Sequence, residues 1–178
     1  MEKQVINYGE LQSPIGAITV FTSSRGVSRI DFGFAENVLP AADTWYKKHL
    51  VKADLVFNPE AIEPIVIQLE EYFNKKRNFF DLNLDMSGTV FQKKVWQSLS
   101  EIPYGETRSY RDVAVAIAAP KAVRAIGSAN NRNPLPIIVP CHRVIGSNGA
   151  LVGYGGGVDK KEYLLSLEQQ HTMHAALP

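Results

Sequence analysis

Cysteine is almost absent from this chain, whose 178 residues include only Cys141. A single cysteine excludes an internal disulfide and is typical of a protein that stays in a reducing compartment. The sequence also has no apolar run of transmembrane length, and its first residues lead into no apolar stretch of the secretory type. We therefore expect a soluble cytoplasmic protein that does not associate with membranes.

Signatures of cofactors and metals are missing too. The chain contains no phosphate-binding loop and no dinucleotide-binding fingerprint. His49, His171 and His174 lack the spacing of metal ligands, apart from the pair near the end of the chain. We predict no metal and no cofactor.

The net charge of +1 is unevenly distributed along the chain. Residues 1–85 carry 9 basic and 12 acidic side chains, whereas residues 86–178 carry 10 and 6. Between residues 107 and 158 the single acid, Asp112, is accompanied by six basic residues: Arg108, Arg111, Lys121, Arg124, Arg132 and Arg143. Such a stretch can neutralise the phosphates of a nucleic acid, but an ordinary solvated surface explains it as well.

The local pattern changes near residue 86, so we predict two domains, 1–85 and 86–178. In the first, β-rich runs at 15–22 and 27–32 flank a turn and predict a hairpin. Apolar residues at helical spacing predict a helix over 61–76. The alternation of Phe80, Leu82 and Leu84 with polar residues predicts a strand. The expected architecture is a small α/β domain, with a sheet and one or two helices.

The second domain is predicted to be mostly helical. Thr89 opens a helix with a capping-box pattern, a second helix runs from Ser109 to about Ala118, and a third runs from Pro120 to about residue 131. The last two form a helix-turn-helix candidate. The third helix has a surface of small residues, which suits either DNA or a tightly packed protein neighbour: Ala122, Ala125, Gly127, Ser128 and Ala129.

The remainder of this domain surrounds the cysteine. Residues 137–139 are β-branched and predict a short buried strand just before it. The glycine-rich segment 144–157 predicts a wing or a loop that lines a substrate site. A final helix is expected from Asp159, and the tail 171–178 lacks periodicity and is expected to fray.

Cys141 is followed directly by His142, and this pair is the candidate for chemistry. A thiol attacks as the thiolate, so it needs either a lowered pKa or a base that removes its proton. His142 can be that base, although neighbours on an extended strand point to opposite sides, so contact requires a turn or a bridging water. Without further context, a lone cysteine is usually a small buried hydrophobic residue, and His142 is as readily a structural histidine.

The context is the segment Pro140-Cys141-His142-Arg143-Val144, which resembles the active-site signature of the O6-alkylguanine-DNA alkyltransferases. The resemblance extends over further segments between residues 88 and 168, namely 88–92, 102–105, 109–110, 124–127, 133–134 and 153–157. The first 85 residues resemble this family more loosely, mainly at Ser13-Pro14-Ile15-Gly16. The resemblance implies a bacterial-type member with a ribonuclease H-like α/β domain, followed by a winged helix-turn-helix domain.

The implied activity is direct repair of alkylated DNA. A member of this family flips O6-alkylguanine, and O4-alkylthymine in some cases, out of the duplex and transfers the alkyl group irreversibly to its cysteine. By resemblance, Cys141 is the acceptor, and Glu168 orients His142, which deprotonates the thiol through a water molecule. Tyr110 donates a hydrogen bond to the guanine and promotes flipping. Asn133 ties together the turns that precede the cysteine. The expected activity is that of a single-turnover methylated-DNA–protein-cysteine methyltransferase.

The resemblance also implies the binding residues. The guanine pocket comprises Tyr110, Val144, Tyr154 and Gly155. Arg124 fills the gap left by the flipped base. The other DNA-contacting residues are Tyr110, Ala125, Gly127 and Ser128. The expected partner is double-stranded DNA, bound in the minor groove with little sequence preference by a monomer, with several molecules able to bind side by side.

Two residues depart from the family pattern, and two other functions compete with alkyl transfer. Ala118 stands where glycine is common in the turn between the helices, and Gly155 stands where some members have serine. One competing function is DNA binding without transfer, as in alkyltransferase-like proteins, but these replace the cysteine. The other is a Cys-His-Glu hydrolase, which would turn over many times and would not need DNA.

Overall fold

The computed structural model describes residues 2–49 and 52–175. The chain forms two compact units, Met1–Gly88 and Thr89–Pro178. No helix in the described ranges is both long enough and apolar enough to cross a lipid bilayer.

The first unit contains a four-stranded sheet with the order β3-β2-β1-β4. Strands β1 (Gln4–Ser13), β2 (Gly16–Ser23) and β3 (Gly26–Phe32) form an antiparallel meander. Strand β4 (Ala53–Phe57) pairs in parallel with β1. The predicted hairpin is confirmed as β2 and β3, which are joined by the turn that the sequence indicated.

Two helices of this unit bury apolar faces. Helix α1 (Ala35–Lys48) places Tyr46 in a cluster with Phe21, and the Tyr46 hydroxyl lies 2.6 Å from Ser28 Oγ. Helix α2 (Pro59–Phe73) confirms the predicted amphipathic helix, although it begins and ends slightly earlier than expected. Its buried residues are Ile62, Ile65, Leu69, Tyr72 and Phe73. Each such burial stabilises the fold by roughly 1.5–3 kcal/mol.

The strand predicted at Phe80, Leu82 and Leu84 is wrong. Only Leu84 makes a bridge, to Val27 at the edge of the sheet. The ring of Phe80 instead lies 5.5 Å from that of Tyr72. The alternating pattern here reflects contacts with the core without continuous pairing of the backbone.

The second unit begins with helices that have the caps predicted from the sequence. Helix α3 (Val90–Ser100) starts at the Thr89 capping box, in which Thr89 Oγ1 accepts from the Gln92 backbone and Gln92 Oε1 accepts from the Thr89 backbone. Ser109 and Asp112 form the same motif at the start of α4 (Tyr110–Ala116). The predicted starts of both helices are confirmed.

The next helix, α5 (Val123–Asn131), begins three residues after the predicted Pro120. It packs against α3, where Trp96 Nε1 donates to the Ala129 carbonyl at 2.8 Å. Between α4 and α5, Ala118 adopts φ +58°, the left-handed conformation that glycine accepts without strain. The alanine therefore occupies the conformation typical of glycine at this turn.

A two-residue parallel pair joins β5 (Arg108–Ser109) to β6 (Val144–Ile145), and the unit ends with α6 (Val158–Ala175). The prediction of a frayed tail is wrong for residues 171–175, which continue this helix. The last turns of α6 are stabilised by a hydrogen bond to the preceding part of this unit, in which His171 Nδ1 lies 3.2 Å from the Tyr104 hydroxyl. Residues 176–178 lie outside the described part of the chain.

Candidate active site

The segment before the cysteine consists of turns, so the strand predicted at 137–139 is wrong. Asn133 supplies the hydrogen bonds that a neighbouring strand would otherwise provide. Its Nδ2 donates to the Val139 carbonyl at 2.8 Å, and its Oδ1 accepts from the Leu135 backbone at 2.9 Å. The Val139 backbone donates in turn to the Leu135 carbonyl. Asn133 therefore folds the buried segment into a compact loop that ends at Cys141.

Cys141 begins a single 3-10 turn, Cys141–Arg143, and is only 4% exposed. Burial raises the pKa of its thiol from 9.0 to about 11, although a hydrogen bond from Asn133 and the charge of Lys161 partly oppose this. Sulfur is therefore almost entirely protonated at neutral pH. Nucleophilic chemistry at this site requires a base that removes the proton when the reaction takes place.

His142 is fully buried and forms a 2.7 Å hydrogen bond from Nε2 to Glu168 Oε1. Burial lowers the pKa of its imidazole below the ordinary value of 6.5, despite the nearby carboxylate. Because Glu168 is ionised and only accepts, Nε2 must carry the proton and Nδ1 must carry the lone pair. Nδ1 has no hydrogen-bond partner among the described residues. His142 thus has a neutral ring with an available proton acceptor.

The Glu168 carboxylate is also fully buried and has several donors around it. Arg143 donates from Nε to Oε2 at 2.9 Å and from Nη2 to Oε1 at 3.0 Å, and the Gly105 backbone donates to Oε2 at 3.2 Å. Burial alone would raise the pKa of Glu168, but the hydrogen bonds and charges of His142 and Arg143 hold it at about 2. The site therefore contains a permanent anion beside His142.

Two of the residues predicted to line a guanine pocket, Tyr110 and Tyr154, lie close enough to Cys141 to be affected by its charge. Tyr110 is half-buried, and its hydroxyl donates to the Val152 carbonyl at 2.9 Å. Burial, and then the charge of a Cys141 thiolate, raises the pKa of both Tyr110 and Tyr154. Val144 is buried directly after the 3-10 turn. Gly155 is exposed, and a Cβ built there would have no atom within 4 Å, so a side chain fits sterically.

Helix α5 has one buried and one exposed face. Arg124, Ala125 and Ser128 are exposed, as expected for residues that contact DNA. Gly127 is half-buried, and a Cβ there would lie 4.0 Å from the Tyr110 ring. A Cβ at this distance would make only an ordinary van der Waals contact, so the space beside Tyr110 does not require glycine at position 127.

Arg143 does not belong to the exposed basic surface, contrary to its inclusion among the candidate phosphate-neutralising residues. It is buried, with both edges of its guanidinium engaged by Glu168 and the Ile102 carbonyl. Arg108 is paired with Glu106 at 2.8 Å. Four of the six basic side chains remain exposed on this unit, namely Arg111, Lys121, Arg124 and Arg132.

Two buried polar residues of this site, Lys161 and Asn130, were not predicted from the sequence. Lys161 is fully buried, and its ammonium donates to the carbonyls of Val144 at 2.5 Å and Val152 at 3.0 Å. Asn130 is also buried, and its Nδ2 lies 3.4 Å from the Cys141 carbonyl. Neither residue has a sequence signal of its own, because a lysine in a first helical turn and an asparagine at a helix end are usually solvated.

No group of three or more histidine, cysteine, aspartate or glutamate residues within 2–49 and 52–175 is arranged to hold a metal ion.

Two family models match the chain. Residues 6–86 match the ribonuclease-like domain of 6-O-methylguanine DNA methyltransferase, and residues 90–170 match its DNA binding domain.

Individual relatives match over nearly the whole chain. A methylated-DNA–protein-cysteine methyltransferase of Methanosarcina barkeri is 46% identical over 92% of this chain and 98% of the relative. The crystal structure of Mycobacterium tuberculosis OGT in complex with DNA has a TM-score of 0.79 and 40% identity, covering 94% of each chain. An O6-methylguanine-DNA methyltransferase from the archaeon Pyrococcus kodakaraensis has a TM-score of 0.64 and 26% identity, covering 92% of this chain and 98% of the other.

Proposed function

The chain belongs to the 6-O-methylguanine DNA methyltransferase family, and from this premise we propose that it repairs DNA by direct reversal of alkylation. The alkyl group of O6-alkylguanine, or of O4-alkylthymine, is transferred to Cys141. Each molecule acts once, because the thioether that forms at sulfur is too stable to reverse. The protein is thus a methylated-DNA–protein-cysteine methyltransferase.

One observation carries the assignment of the acceptor. Cys141 is the only thiol of the chain, and the next residue in the same 3-10 turn is a neutral histidine, His142. Its Nε2 is hydrogen-bonded to the buried carboxylate of Glu168. Cysteine, histidine and glutamate together can generate a thiolate at the moment of attack. A merely structural cysteine would not need a fully buried imidazole with an available lone pair.

The reaction is a displacement at the alkyl carbon. His142 Nδ1 accepts the thiol proton through a water molecule, and Glu168 stabilises the imidazolium that forms. The sulfur lone pair forms the new S–C bond while the C–O6 bond breaks, and its electrons move onto the guanine oxygen. The thiol proton is finally transferred to the guanine, so the base leaves in its ordinary neutral form. No oxidant, reductant or cofactor is needed for this balance.

The leaving base is stabilised by residues of the guanine pocket. Tyr110 donates a hydrogen bond to the guanine as negative charge develops on it, which requires its hydroxyl to leave the Val152 carbonyl. Burial keeps this phenol protonated, so it remains a donor. Tyr154, Val144 and Gly155 complete the pocket, and Asn133 holds the loop that carries the nucleophile.

A buried acceptor requires the damaged nucleotide to leave the duplex. At 4% exposure, Cys141 cannot reach an alkyl group inside stacked DNA, so the base is rotated into the pocket at a cost of about a few kcal/mol. Arg124 is exposed on α5 and fills the gap left by the base. The small side chains of Ala125 and Ser128, together with Gly127, let the helix backbone approach the minor groove without reading bases.

The finer architecture and setting are part of the same proposal. Helices α4 and α5 act as a helix-turn-helix, with residues 144–157 as its wing, and the first unit is a ribonuclease H-like domain. The parallel pairing of β4 with β1 beside an antiparallel meander supports the latter. The protein acts in the cytoplasm as a monomer, and several molecules can bind side by side on one duplex.

Transfer of a labelled methyl group tests the proposal. The protein is incubated with a duplex that carries one O6-methylguanine with a tritiated methyl group, and labelled protein is counted after digestion of the DNA. We expect one label per molecule, located on the peptide with Cys141 by mass spectrometry. The Cys141→Ser variant should bind the duplex but take up no label.

Two results would favour the competing functions. Absence of label on the wild-type protein, with binding retained, would indicate a DNA-binding protein without transfer. Release of more than one product per molecule, on substrates that contain no DNA, would indicate a hydrolase.

A further inference from the structure

We propose that Arg143 is a positioning residue that acts through Glu168, and that the loop 102–105 holds the pair in place. The inference rests on the proposed transfer to Cys141. It assigns a purpose to the Ile102-Pro103-Tyr104-Gly105 segment, which has no role in the reaction described above.

Hydrogen bonds fix the orientation of the Glu168 carboxylate. Glu168 accepts at least four hydrogen bonds, and a carboxylate has about four favourable acceptor positions. Arg143 contributes two of them from one edge of its guanidinium, so the plane of the carboxylate is fixed relative to a rigid group. The Gly105 backbone takes a third position at Oε2, which leaves one position, at Oε1, for His142 Nε2. Arg143 therefore determines the orientation of the imidazole without contacting the reacting atoms.

The loop 102–105 holds the Arg143–Glu168 pair from the other side. Arg143 Nη1 donates to the Ile102 carbonyl at 2.6 Å, and its guanidinium lies 5.6 Å from the centre of the Tyr104 ring. The Gly105 backbone reaches Glu168 Oε2. Gly105 has φ +80°, and a Cβ there would lie 2.3 Å from Thr172 Oγ1, so the close approach of this backbone to α6 requires glycine.

Arg143 also determines the charge that His142 experiences. In a buried site, an unpaired carboxylate would favour protonation of the imidazole, whereas the guanidinium neutralises the carboxylate. The other ionisable groups of the site are Cys141, which precedes His142 in the turn, Lys161 of α6, and the tyrosines Tyr104 and Tyr154, both of which are affected by the charge of Glu168. The charge of Lys161 acts in the same direction as that of Arg143. A neutral His142 able to accept the thiol proton is the result.

The experiment compares single-turnover transfer from the methylated duplex by four variants, Arg143→Gln, Arg143→Lys, Glu168→Gln and the double variant Arg143→Gln/Glu168→Gln. Arg29→Gln is the matched control, because Arg29 makes the same edge-on pair with Asp31, at 2.6 and 2.8 Å, in the first unit. Rates are measured at a temperature at which circular dichroism shows each protein folded. The double variant replaces the buried ion pair by two neutral amides, which keeps the comparison usable if Arg143→Gln folds poorly.

We expect Arg143→Gln and Glu168→Gln each to slow transfer by about 10- to 100-fold, the usual loss when an orienting partner is removed. The double variant should be no slower than Glu168→Gln, because Arg143 acts only through that carboxylate. Arg143→Lys should lose rate as well, because an ammonium cannot make the two parallel bonds. Arg29→Gln should transfer at the wild-type rate.

A pH measurement separates positioning from general support of the fold. Loss of the Arg143 charge exposes His142 to the full charge of Glu168, so the pKa of His142 should rise in Arg143→Gln. The acid limb of the rate profile should therefore move to higher pH in Arg143→Gln, while Arg143→Lys should leave it in place. Titration of the His142 ring by nuclear magnetic resonance, assigned with a His142→Gln variant, reads the same shift without any transfer.

The outcomes distinguish this inference from the proposed function. Absence of transfer by the wild-type protein would overturn the proposed function, and the ring titration would still decide the role of Arg143. Wild-type rates in both Arg143 variants would overturn the inference. The inference would also be overturned if the rate loss of the double variant equalled the product of the two single losses. An unchanged His142 titration in Arg143→Gln would overturn it as well.

Discussion

The strongest test of the chemistry is the pH dependence of transfer in a His142→Gln variant. Glutamine retains an amide N–H that can donate to Glu168 but has no basic nitrogen. Burial places the pKa of the Cys141 thiol at about 11, so only about one molecule in 10,000 carries a thiolate at pH 7. A variant without a base must rely on this small fraction. In the proposed mechanism, the wild-type protein instead transfers the proton to His142 as the reaction proceeds.

The two mechanisms give different profiles between pH 6 and 9. For His142→Gln, the rate should rise tenfold per pH unit, or about 1,000-fold across the range, because the thiolate fraction grows in this way well below its pKa. The wild-type rate should be flat above pH 6.5, since burial lowers the pKa of His142 below that value and the ring is already neutral. At pH 7 the variant should be slower by about 100- to 10,000-fold, the usual contribution of a general base.

The assay is single-turnover transfer of tritiated methyl from a duplex with one O6-methylguanine, with protein in excess and enough of it to saturate the DNA. His49→Gln is the control, because His49 lies in the first unit and its Nδ1 contacts the Trp45 carbonyl. It should reproduce the wild-type profile. A wild-type rate that rises tenfold per unit up to pH 9, or a flat profile for His142→Gln, would refute the role of His142 as the base.

Three further predictions concern the DNA-binding helix, the turn before it and the buried carboxylate. Arg124→Ala should slow repair in duplex DNA by about tenfold or more, because the gap left by the base is unfilled, yet should leave reaction with free O6-benzylguanine unchanged. Equal losses on both substrates would contradict the intercalating role. Ala118→Gly should raise the free energy of unfolding in urea by about 0.5–1 kcal/mol, since relief of the left-handed conformation outweighs the entropy that glycine loses on folding. A lower urea midpoint would contradict this. Acidification should destabilise the wild-type protein more than Glu168→Gln. The folded pKa of Glu168 is about 2 against an ordinary 4.5, so its stabilising contribution is complete above pH 4.5 and is lost as the pH falls towards 2. Between pH 7 and 3, urea unfolding should show an extra loss of about 2 kcal/mol in the wild type. Equal losses in the two proteins would mean that the carboxylate is not stabilised by its partners.

Local signals explain what the sequence predicted well. The capping boxes at Thr89 and Ser109 depend on residues three apart, and the apolar stripe of α2 repeats every turn. Both patterns specify structure without reference to the rest of the chain. Their helices were therefore predicted with the correct type and nearly the correct bounds.

Elements stabilised by distant partners were missed or mistaken. Strand β4 exposes Val56 and Phe57, so its composition does not follow the alternation expected of a half-buried strand, and only its pairing with β1 specifies it. Residues 137–139 have the composition of a buried strand, but the Val139 backbone is hydrogen-bonded locally, to the Asn133 amide and the Leu135 carbonyl. Here the apolar pattern indicates that the residues are buried, but it does not indicate which groups hydrogen-bond to their backbone.

For the candidate site, the motif indicated candidate residues but not the contacts that hold them in place. Residue type alone cannot distinguish a buried cation from a solvated one, so Arg143 was grouped with basic residues for DNA and Lys161 was not considered. Both are fixed by acceptors that lie far away in the sequence, namely Glu168 for Arg143 and the Val144 and Val152 carbonyls for Lys161. The roles of the site residues remain predictions that the experiments above address.

The high pKa of Cys141 fits a residue that is used once. An exposed thiol with a low pKa reacts with any small electrophile or oxidant, and each such event would inactivate a molecule that has no second turnover. Burial keeps sulfur protonated and out of contact with solvent, so the resting protein is protected. In the proposed mechanism, His142 then supplies reactivity only when an alkyl carbon enters the pocket, because proton removal is coupled to formation of the S–C bond. Selectivity for damaged DNA therefore follows from the same burial that makes His142 and its buried partners necessary.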